Sequence, residues 1–193
     1  MHFSGLSFAL WFVLCVSATQ GQGPTPPSDE TLPSSLDKEI FIYEVEREEL
    51  ESKEGLFHVS VMAGQNVGKV TTRDKFSPPF AVTWVVSTDG GNIRFYYAQL
   101  IIILNHESGR HTLQVADPAL GQQRQRMIPE LGRVSPNEFH EVKLIVEEDS
   151  YTFTVDGEVR AGGGGDYKGL KDAVSIGPAF GSHLRLRHFE IHR

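Results

Sequence analysis

Nine short stretches of alternating apolar and polar residues constrain the fold of this chain more than any other feature. A two-residue period puts successive side chains on opposite faces of an extended chain, so each stretch is predicted to be a half-buried β-strand. β-Branched and aromatic residues dominate these stretches, as they do in strands generally. Stretch 93–104 has room for two strands or for one bent strand. The stretches are 40–45, 56–62, 80–86, 93–104, 111–115, 141–146, 151–155, 174–176 and 184–191.

Turn-forming residues separate these stretches. Asp89-Gly90-Gly91, Ser135-Pro136 and Asp156-Gly157 are typical of turns and loops. Signals of this kind recur about every 8–15 residues with little helical periodicity, which favours an all-β, two-sheet antiparallel β-sandwich. Residues 101–104 are continuously apolar, so they predict a central strand that is buried on both faces.

The first 36 residues differ in composition from the rest. Residues 6–16 are apolar except for Ser7, and small residues follow at the positions that a signal peptidase reads. Because a membrane span needs roughly 20 apolar residues, we expect a signal peptide over 1–18, secretion of the chain, and no membrane span. Residues 19–36 are rich in Pro, Ser and Thr and predict a disordered linker. The remaining 37–193 have the size of one domain.

Composition excludes several classes of function. The single cysteine, Cys15, lies in the predicted signal peptide, which leaves the mature chain without a thiol for catalysis or for cysteine-ligated zinc. The formal net charge of −7 argues against a nucleic-acid partner, because nucleic acids select basic patches. Histidines at 106 and 111, and at 188 and 192, form pairs that lack a third ligand, so no metal site is predicted.

The C-terminal third of the chain carries a recognisable order of elements. An alternating strand leads through a turn to a strand ending in Val155-Asp156-Gly157-Glu158, then to a glycine run over 162–165, an Ile176-Gly177 turn and a final strand. This order resembles the closing strands of the concanavalin A-like lectin and glucanase superfamily of jelly rolls, which includes laminin-G-like domains. The likeness covers residues 37–193 and is nearest to uncharacterised single-domain members of the superfamily. The chain is also similar to uncharacterised jelly-roll domains that are found beside carbohydrate-processing modules.

The resemblance implies a jelly roll that binds a glycan or polysaccharide on a concave sheet face, and it leaves the oligomeric state open. It also implies calcium as a possible cofactor, although no D-x-D-x-D-G loop is present in the sequence; the residues themselves predict no cofactor. The paired-carboxylate E-x-D-x-x-E strand of jelly-roll glucanases is missing, as are the H-x-N-P-R and W-G-x-E patterns of galectins. We therefore predict a secreted, lectin-like binding module without catalytic activity. A secreted domain that binds a protein is a further interpretation.

One candidate ligand site lies on stretch 93–104. Arg94, Tyr96 and Gln99 are close together there, with Arg94 and Tyr96 on one face of an ideal strand and Tyr97 on the other. On a concave sheet, Arg94 and Tyr96 would provide an aromatic face for sugar C–H groups and a cationic donor for hydroxyls or carboxylates. The alternative is that one tyrosine packs in the core.

A polar cluster, Asn105-His106-Glu107, ends this stretch. Asn105 and Glu107 are assigned to the predicted ligand site because loops at strand ends commonly build such sites. Glu107 with His106, or with the nearby tyrosine, could instead perform acid–base chemistry in a polysaccharide hydrolase or lyase. A hydrolase needs a second carboxylate about 5–10 Å away, for which the sequence offers Asp117 or Glu141. A polar turn beside a buried strand is the structural alternative.

Overall fold

The computed structural model describes residues 41–44, 51–53, 56–60, 68–109, 111–117 and 125–193. The predicted signal peptide over 1–18 and the predicted linker over 19–36 lie outside these residues, as does the start of the predicted domain at 37–40. No helix in the described part of the chain is long and apolar enough to cross a membrane.

The described residues form fourteen β-strands. They are β1 Phe41–Glu44, β2 Glu51–Lys53, β3 Leu56–Ser60, β4 Lys69–Thr72, β5 Phe80–Thr88, β6 Ile93–Tyr97, β7 Leu100–Leu104, β8 Leu113–Ala116, β9 Gln125–Ile128, β10 His140–Val146, β11 Ser150–Val155, β12 Glu158–Gly164, β13 Val174–Pro178 and β14 His183–His192. They pair into two antiparallel sheets of seven strands. Sheet I has the order β1-β4-β13-β6-β7-β8-β9, and sheet II has the order β12-β11-β10-β5-β14-β3-β2. The predicted all-β, two-sheet antiparallel sandwich is confirmed.

Alternation along each strand explains how the two sheets are joined. Trp84 of sheet II lies with its ring centroid 5.3 Å from that of Phe95 of sheet I, and Phe95 lies 5.1 Å from Phe153 of sheet II. All three side chains are at most 1% exposed. Burial of side chains of this size contributes about 1.5–3 kcal/mol each, so these inner positions account for much of the stability of the sandwich.

The continuously apolar run ends up where the sequence predicts it. Strand β7 lies between β6 and β8 in sheet I, away from both edges. Ile102 and Leu104 point into the core and are 0% exposed, whereas Ile103 points outward and is still only 4% exposed. An outward isoleucine that is this well covered indicates that side chains pack over the outer face of sheet I.

Stretch 93–104 is two strands, joined at a turn where Ala98 has a φ of 49°. The other predicted strands lie within two residues of the observed bounds wherever the structure describes them. Four strands have no predicted counterpart, namely β2, β4, β9 and β12. Three of the four are sheet edges, which pair on one side only and lack the strong apolar alternation of a central strand.

Candidate functional site

The outer face of sheet I presents a regular array of side chains from β6, β7, β8 and β9. Strand register aligns Arg94, Ile103 and Gln114 in one row across three strands. The next row contains Tyr96, Ile101, Ala116 and Gln125. The sequence predicts that Arg94 and Tyr96 share a face and that Tyr97 lies on the other. The burial pattern agrees, because Tyr97 is 0% exposed and donates its hydroxyl hydrogen to the Phe76 carbonyl at 2.9 Å.

A cavity of about 350 Å³ opens on this face. Its base is aliphatic, from Ile101, Ile103 and Ala116, and its sides carry two amides, a charged pair, a histidine and an aromatic ring. The lining residues are Arg94, Ile101, Ile103, His106, Glu107, Gln114, Ala116, Gln125 and Phe180. Three residues predicted from the sequence, Arg94, His106 and Glu107, are therefore brought together here.

The carboxylate of Glu107 is held in place from two sides. Its Oε2 accepts a hydrogen bond from Asn92 Nδ2 at 2.8 Å, and its Oε1 accepts one from Arg94 Nη2 at 3.3 Å. Arg94 Nε in turn donates to Asn92 Oδ1 at 3.4 Å. Charge-assisted contacts of this kind fix the direction of both side chains, so Arg94 and Glu107 act as one neutral pair at the rim of the cavity.

His106 is oriented by the turn that follows it. Ser108 donates its backbone N–H to His106 Nδ1 at 3.2 Å, which makes Nδ1 the acceptor nitrogen. The other nitrogen, Nε2, lies 3.6 Å from Glu107 Oε1. In the neutral ring, Nε2 therefore carries the hydrogen and directs it towards the carboxylate.

Asn105 lies in the sequence next to this cluster but does not line the cavity. It is 5% exposed and has a φ of 49°, a conformation that asparagine tolerates better than most residues. Its Oδ1 accepts from the Val134 backbone N–H at 3.2 Å, and its Nδ2 donates to the carbonyls of Gly91 and Val134 at 3.4 Å. These bonds connect the end of β7 to two loops.

Two other residues of the predicted ligand site lie away from the cavity. Gln99 is exposed at the turn after β6, at the opposite end of the strand from Arg94. Tyr96 shares the outer face with Arg94, but Lys69 Nζ lies 4.2 Å from the centroid of its ring. Burial raises the pKa of Tyr96, although Arg94 opposes this shift, so the phenol stays protonated at neutral pH.

Phe180 is one of six lining residues that the sequence analysis did not predict, and it is the one with an aromatic ring. It lies in the turn between β13 and β14, is 52% exposed, and its ring centroid is 5.0 Å from Arg94 Cζ. The available signal was an aromatic residue inside a loop, flanked by Ala179 and Gly181. Loop aromatics have no strand partner to pack against, so they are candidates for ligand contact.

Neither sequence candidate for a second carboxylate reaches the cavity. Glu141 is on β10 in sheet II, paired with Val85, and is exposed. Asp117 is 3% exposed, and its Oδ1 accepts from the Tyr167 hydroxyl at 3.0 Å. Among the described residues that line the cavity, Glu107 is the only carboxylate.

Asp117 belongs to a buried polar group that joins the edges of the two sheets. Arg126 of β9 donates to the Tyr151 hydroxyl at 2.6 Å and to the Gly162 carbonyl at 3.1 Å, and both partners belong to sheet II. Burial raises the pKa of Tyr151 to about 12. The glycines at 162–164 belong to β12, and Gly163 packs closely against this group, because a Cβ there would lie 2.8 Å from Asp117 Oδ2.

In the described part of the chain, no group of three or more His, Asp or Glu side chains is placed to hold an ion. His188 and His192 lie on one face of β14, and their Nε2 atoms are 3.6 Å and 3.2 Å from carboxylate oxygens of Glu190.

No family model matches the sequence, and no curated protein matches it. Several solved structures have a similar fold. A 1,3-α-1,4-β-D-galactose-4-sulfate-3,6-anhydro-D-galactose 4 galactohydrolase superposes with a TM-score of 0.57 at 10% identity, covering 78% of this chain and 88% of that protein. The carbohydrate-binding module CBM66 from Bacillus subtilis gives 0.55 at 7% identity, covering 76% of this chain and 92% of the module.

A sialidase also gives a TM-score of 0.55, at 10% identity and over 75% of this chain, but the chain spans only 16% of the length of that protein. At identities this low, the superpositions show a shared fold and nothing more. It is a two-sheet jelly roll, the fold that the order of elements in the C-terminal third implies.

Proposed function

We propose that this chain is a secreted, non-catalytic, lectin-like module that binds a glycan in the cavity on the outer face of sheet I. The observation that carries the proposal is the lining of that cavity. An aliphatic base of Ile101, Ile103 and Ala116 lies beneath amides, a fixed Arg94–Glu107 pair and an exposed aromatic ring. A sugar has an apolar C–H face and a ring of hydroxyls, and this mixture of surfaces suits both.

Two features favour binding over catalysis. A glycosidase of the usual kind uses two carboxyl groups about 5–10 Å apart, and Glu107 is the only carboxylate among the described lining residues. Both oxygens of Glu107 also accept hydrogen bonds from neighbouring side chains. A carboxylate held in this way is suited to accepting further hydrogen bonds from hydroxyls.

A polysaccharide hydrolase or lyase is the second candidate, favoured by one contact. His106 Nε2 lies 3.6 Å from Glu107 Oε1 at the rim of the cavity, so a histidine and a carboxylate capable of proton transfer face the same ligand space.

Two of the structural neighbours also support a carbohydrate ligand by what their names state, one as a carbohydrate-binding module and one as a galactohydrolase.

Extracellular location is part of the proposal and rests on residues 1–18. Expression of the full chain in a secreting host should release a protein whose N-terminus follows Ala18. Mass spectrometry of the N-terminal peptide tests this, and retention of residues 1–18 in the secreted or cell-bound protein would contradict it.

The function is tested by applying the mature, secreted protein to a glycan array and, independently, by measuring new reducing ends and unsaturated uronates on a panel of polysaccharides. Binding without products is the expected result. Glu107→Gln should weaken binding by about 10-fold, because it removes a charged acceptor. Glu190→Gln, on the outer face of sheet II, is the matched control and should bind as the unmodified protein does.

The other outcomes are equally decisive. Products that disappear in Glu107→Gln would establish the enzyme instead of the binding module. Silence on the array and in both product assays would reject both candidates.

A further inference from the structure

Phe180 occupies an unfavourable position for a phenylalanine. Its side chain is 52% exposed, and its backbone φ is 54°, in the left-handed region. A bulky residue with a positive φ is strained, and the exposed half of the ring gains no stabilisation from burial. Glycine would satisfy the same backbone conformation without strain. The backbone conformation of this turn therefore gives no reason for an aromatic side chain, and the ring contacts the fold through the Arg94 guanidinium.

The turn that carries Phe180 is firmly anchored on both sides. Ala179 is 0% exposed, and its carbonyl accepts hydrogen bonds from both the hydroxyl and the backbone N–H of Ser182. Gly91, in the β5–β6 loop, lies so close that a Cβ there would be 1.9 Å from Ser182 Oγ. These contacts fix the turn, so the ring is presented in one place at the edge of the cavity.

The ring complements what the cavity otherwise offers. Phe180 lines the cavity with Ile101, Ile103 and Ala116, and its side chain is 52% exposed although the Arg94 guanidinium lies over the ring, 5.0 Å from its centroid. An aromatic wall next to an aliphatic floor gives two apolar surfaces for the C–H face of a pyranose ring. Strained residues that persist in a fold tend to do so at ligand sites, which is consistent with this role.

The charges in the cavity select the class of sugar. Among the described lining residues, the formal charges are one Arg94 guanidinium and one Glu107 carboxylate, and these two are bonded to each other. A sulfate or uronate would have to compete with Glu107 for Arg94 and would then lie beside that carboxylate, which repels it. By the same argument, an amino sugar would have to compete with Arg94 for Glu107 and would then lie beside the guanidinium, which repels it. The two glutamines, at 114 and 125, donate and accept without any preference for charge.

We propose that Phe180 is the stacking platform of the site and that the site selects uncharged pyranose units over sulfated, carboxylated or amino sugars. This rests on the proposed function as a glycan-binding module, and it names the ligand class and the residue that receives its apolar face.

Stability measurements test the platform without any ligand. Phe180→Gly and Phe180→Ala should leave the Tm of the mature protein unchanged, or should raise it by about 2–5 °C for glycine, because the backbone strain is relieved. Phe180→Trp keeps an aromatic ring and serves as the matched control. A fall in Tm of more than about 5 °C in Phe180→Gly would show that the ring stabilises the fold, and the platform would then be rejected.

Binding measurements test the role directly. The probe is the neutral polysaccharide with the strongest array signal, compared with its own C6-carboxylated and sulfated derivatives in isothermal titration calorimetry. The neutral form should bind at least about 10-fold more tightly than either derivative, and Phe180→Ala should lose about 10-fold while Phe180→Trp retains binding.

Each of the other results would reject one of the two claims, the stacking role of Phe180 or the selection for neutral sugars. Equal binding by Phe180→Ala and the unmodified protein overturns the platform, and tighter binding of the charged derivatives, or an array signal from charged glycans alone, overturns the selection for neutral sugars. If the array is silent for every glycan, the proposed function fails first and this inference with it. The Tm of Phe180→Gly still reports separately on the ring.

Discussion

The two outer faces of the sandwich are built on the same alternating strands and differ in their chemistry. On sheet I, the central rows place Arg94 beside Ile103 and Tyr96 beside Ile101, and Arg94 is paired with Glu107 at the rim of a cavity of about 350 Å³. On sheet II, one row across three strands consists of Glu190, Thr83 and Lys143. Side chains that the core does not use are therefore free to differ, and they differ between the two faces.

This difference indicates that inward positions determine the fold, whereas outward positions determine the surface chemistry of each sheet. Inward positions such as Trp84, Phe95 and Phe153 are needed for the sandwich to form at all, whichever ligand the protein binds. Outward positions on sheet I combine aliphatic side chains with charges that are matched to one another. The row of Glu190, Thr83 and Lys143 on sheet II is well solvated without a partner, whereas the aliphatic positions on sheet I line a cavity that has room for a ligand.

The largest expected effect on glycan binding comes from blocking the outer face of one sheet with a large side chain. Ala116→Trp places a large ring on the floor of the cavity and should reduce glycan binding by at least about 100-fold, by direct occupation of the ligand space. Ala81→Trp makes the same change on the outer face of sheet II, where Ala81 is paired with Ile145 and His192.

Both tryptophan variants should keep the far-ultraviolet circular dichroism of the unmodified protein, since neither site points into the core. Binding is measured by calorimetry with the strongest array ligand. Loss of binding in Ala81→Trp with full binding in Ala116→Trp would assign the ligand to sheet II instead.

The next largest effect is expected on stability, from Asn105, which lies beside the sheet I cavity without lining it. Asn105→Ala leaves the Val134 backbone N–H without its acceptor, so the free energy of unfolding should fall by about 2 kcal/mol. Gln99→Ala, at an exposed turn, should change it by less than about 0.5 kcal/mol. Urea denaturation measures both values.

Glycan binding by the folded Asn105→Ala and Gln99→Ala variants should match that of the unmodified protein. A loss of affinity at unchanged stability in either variant would return that residue to the ligand site, as the sequence predicts.

The fold could be predicted because core strands obey a simple rule. Alternation of apolar residues over 80–86, 141–146 and 151–155 reports directly on which side chains are buried, and the structure has strands there. The same rule fails for β9 and β12. Edge strands pair with only one neighbour, and β12 contains Gly163, which packs closely against Asp117, a residue remote in sequence.

The site could be predicted only in part, for a related reason. Arg94, His106 and Glu107 are near one another along the chain, so proximity in sequence was enough to bring them together. Phe180 approaches Arg94 from a turn more than eighty residues later, through the pairing of β13 with β6. Sequence patterns carry no information on such a pairing partner. Asn105 shows the converse, because a polar side chain beside the cluster proves to bond backbone groups of two distant loops.

The smallest expected effect tests the assignment of inward and outward positions on β6, on which the contrast between the faces depends. Burial raises the pKa of Tyr97 to about 12, with the charge of Asp172 adding to the shift, whereas the unfolded chain titrates near 10. The folded state thus favours the neutral phenol, and the stability from Tyr97 is complete below pH 10 and is lost as the pH rises towards 12. At pH 11 the loss is about 1.4 kcal/mol.

Tyr97→Phe should therefore be less stable than the unmodified protein at pH 8, because the hydrogen bond to the Phe76 carbonyl is lost, and should lose less stability between pH 8 and pH 11. Tyr96→Phe, on the outer face of the same strand, is the comparison. Its pKa is also raised by burial, but Arg94 opposes the shift, so the pH dependence should change less than in Tyr97→Phe. Urea denaturation at pH 8 and pH 11 decides the matter. A larger change in pH dependence from Tyr96→Phe would place Tyr96 in the deeper environment and would reverse the two faces of β6.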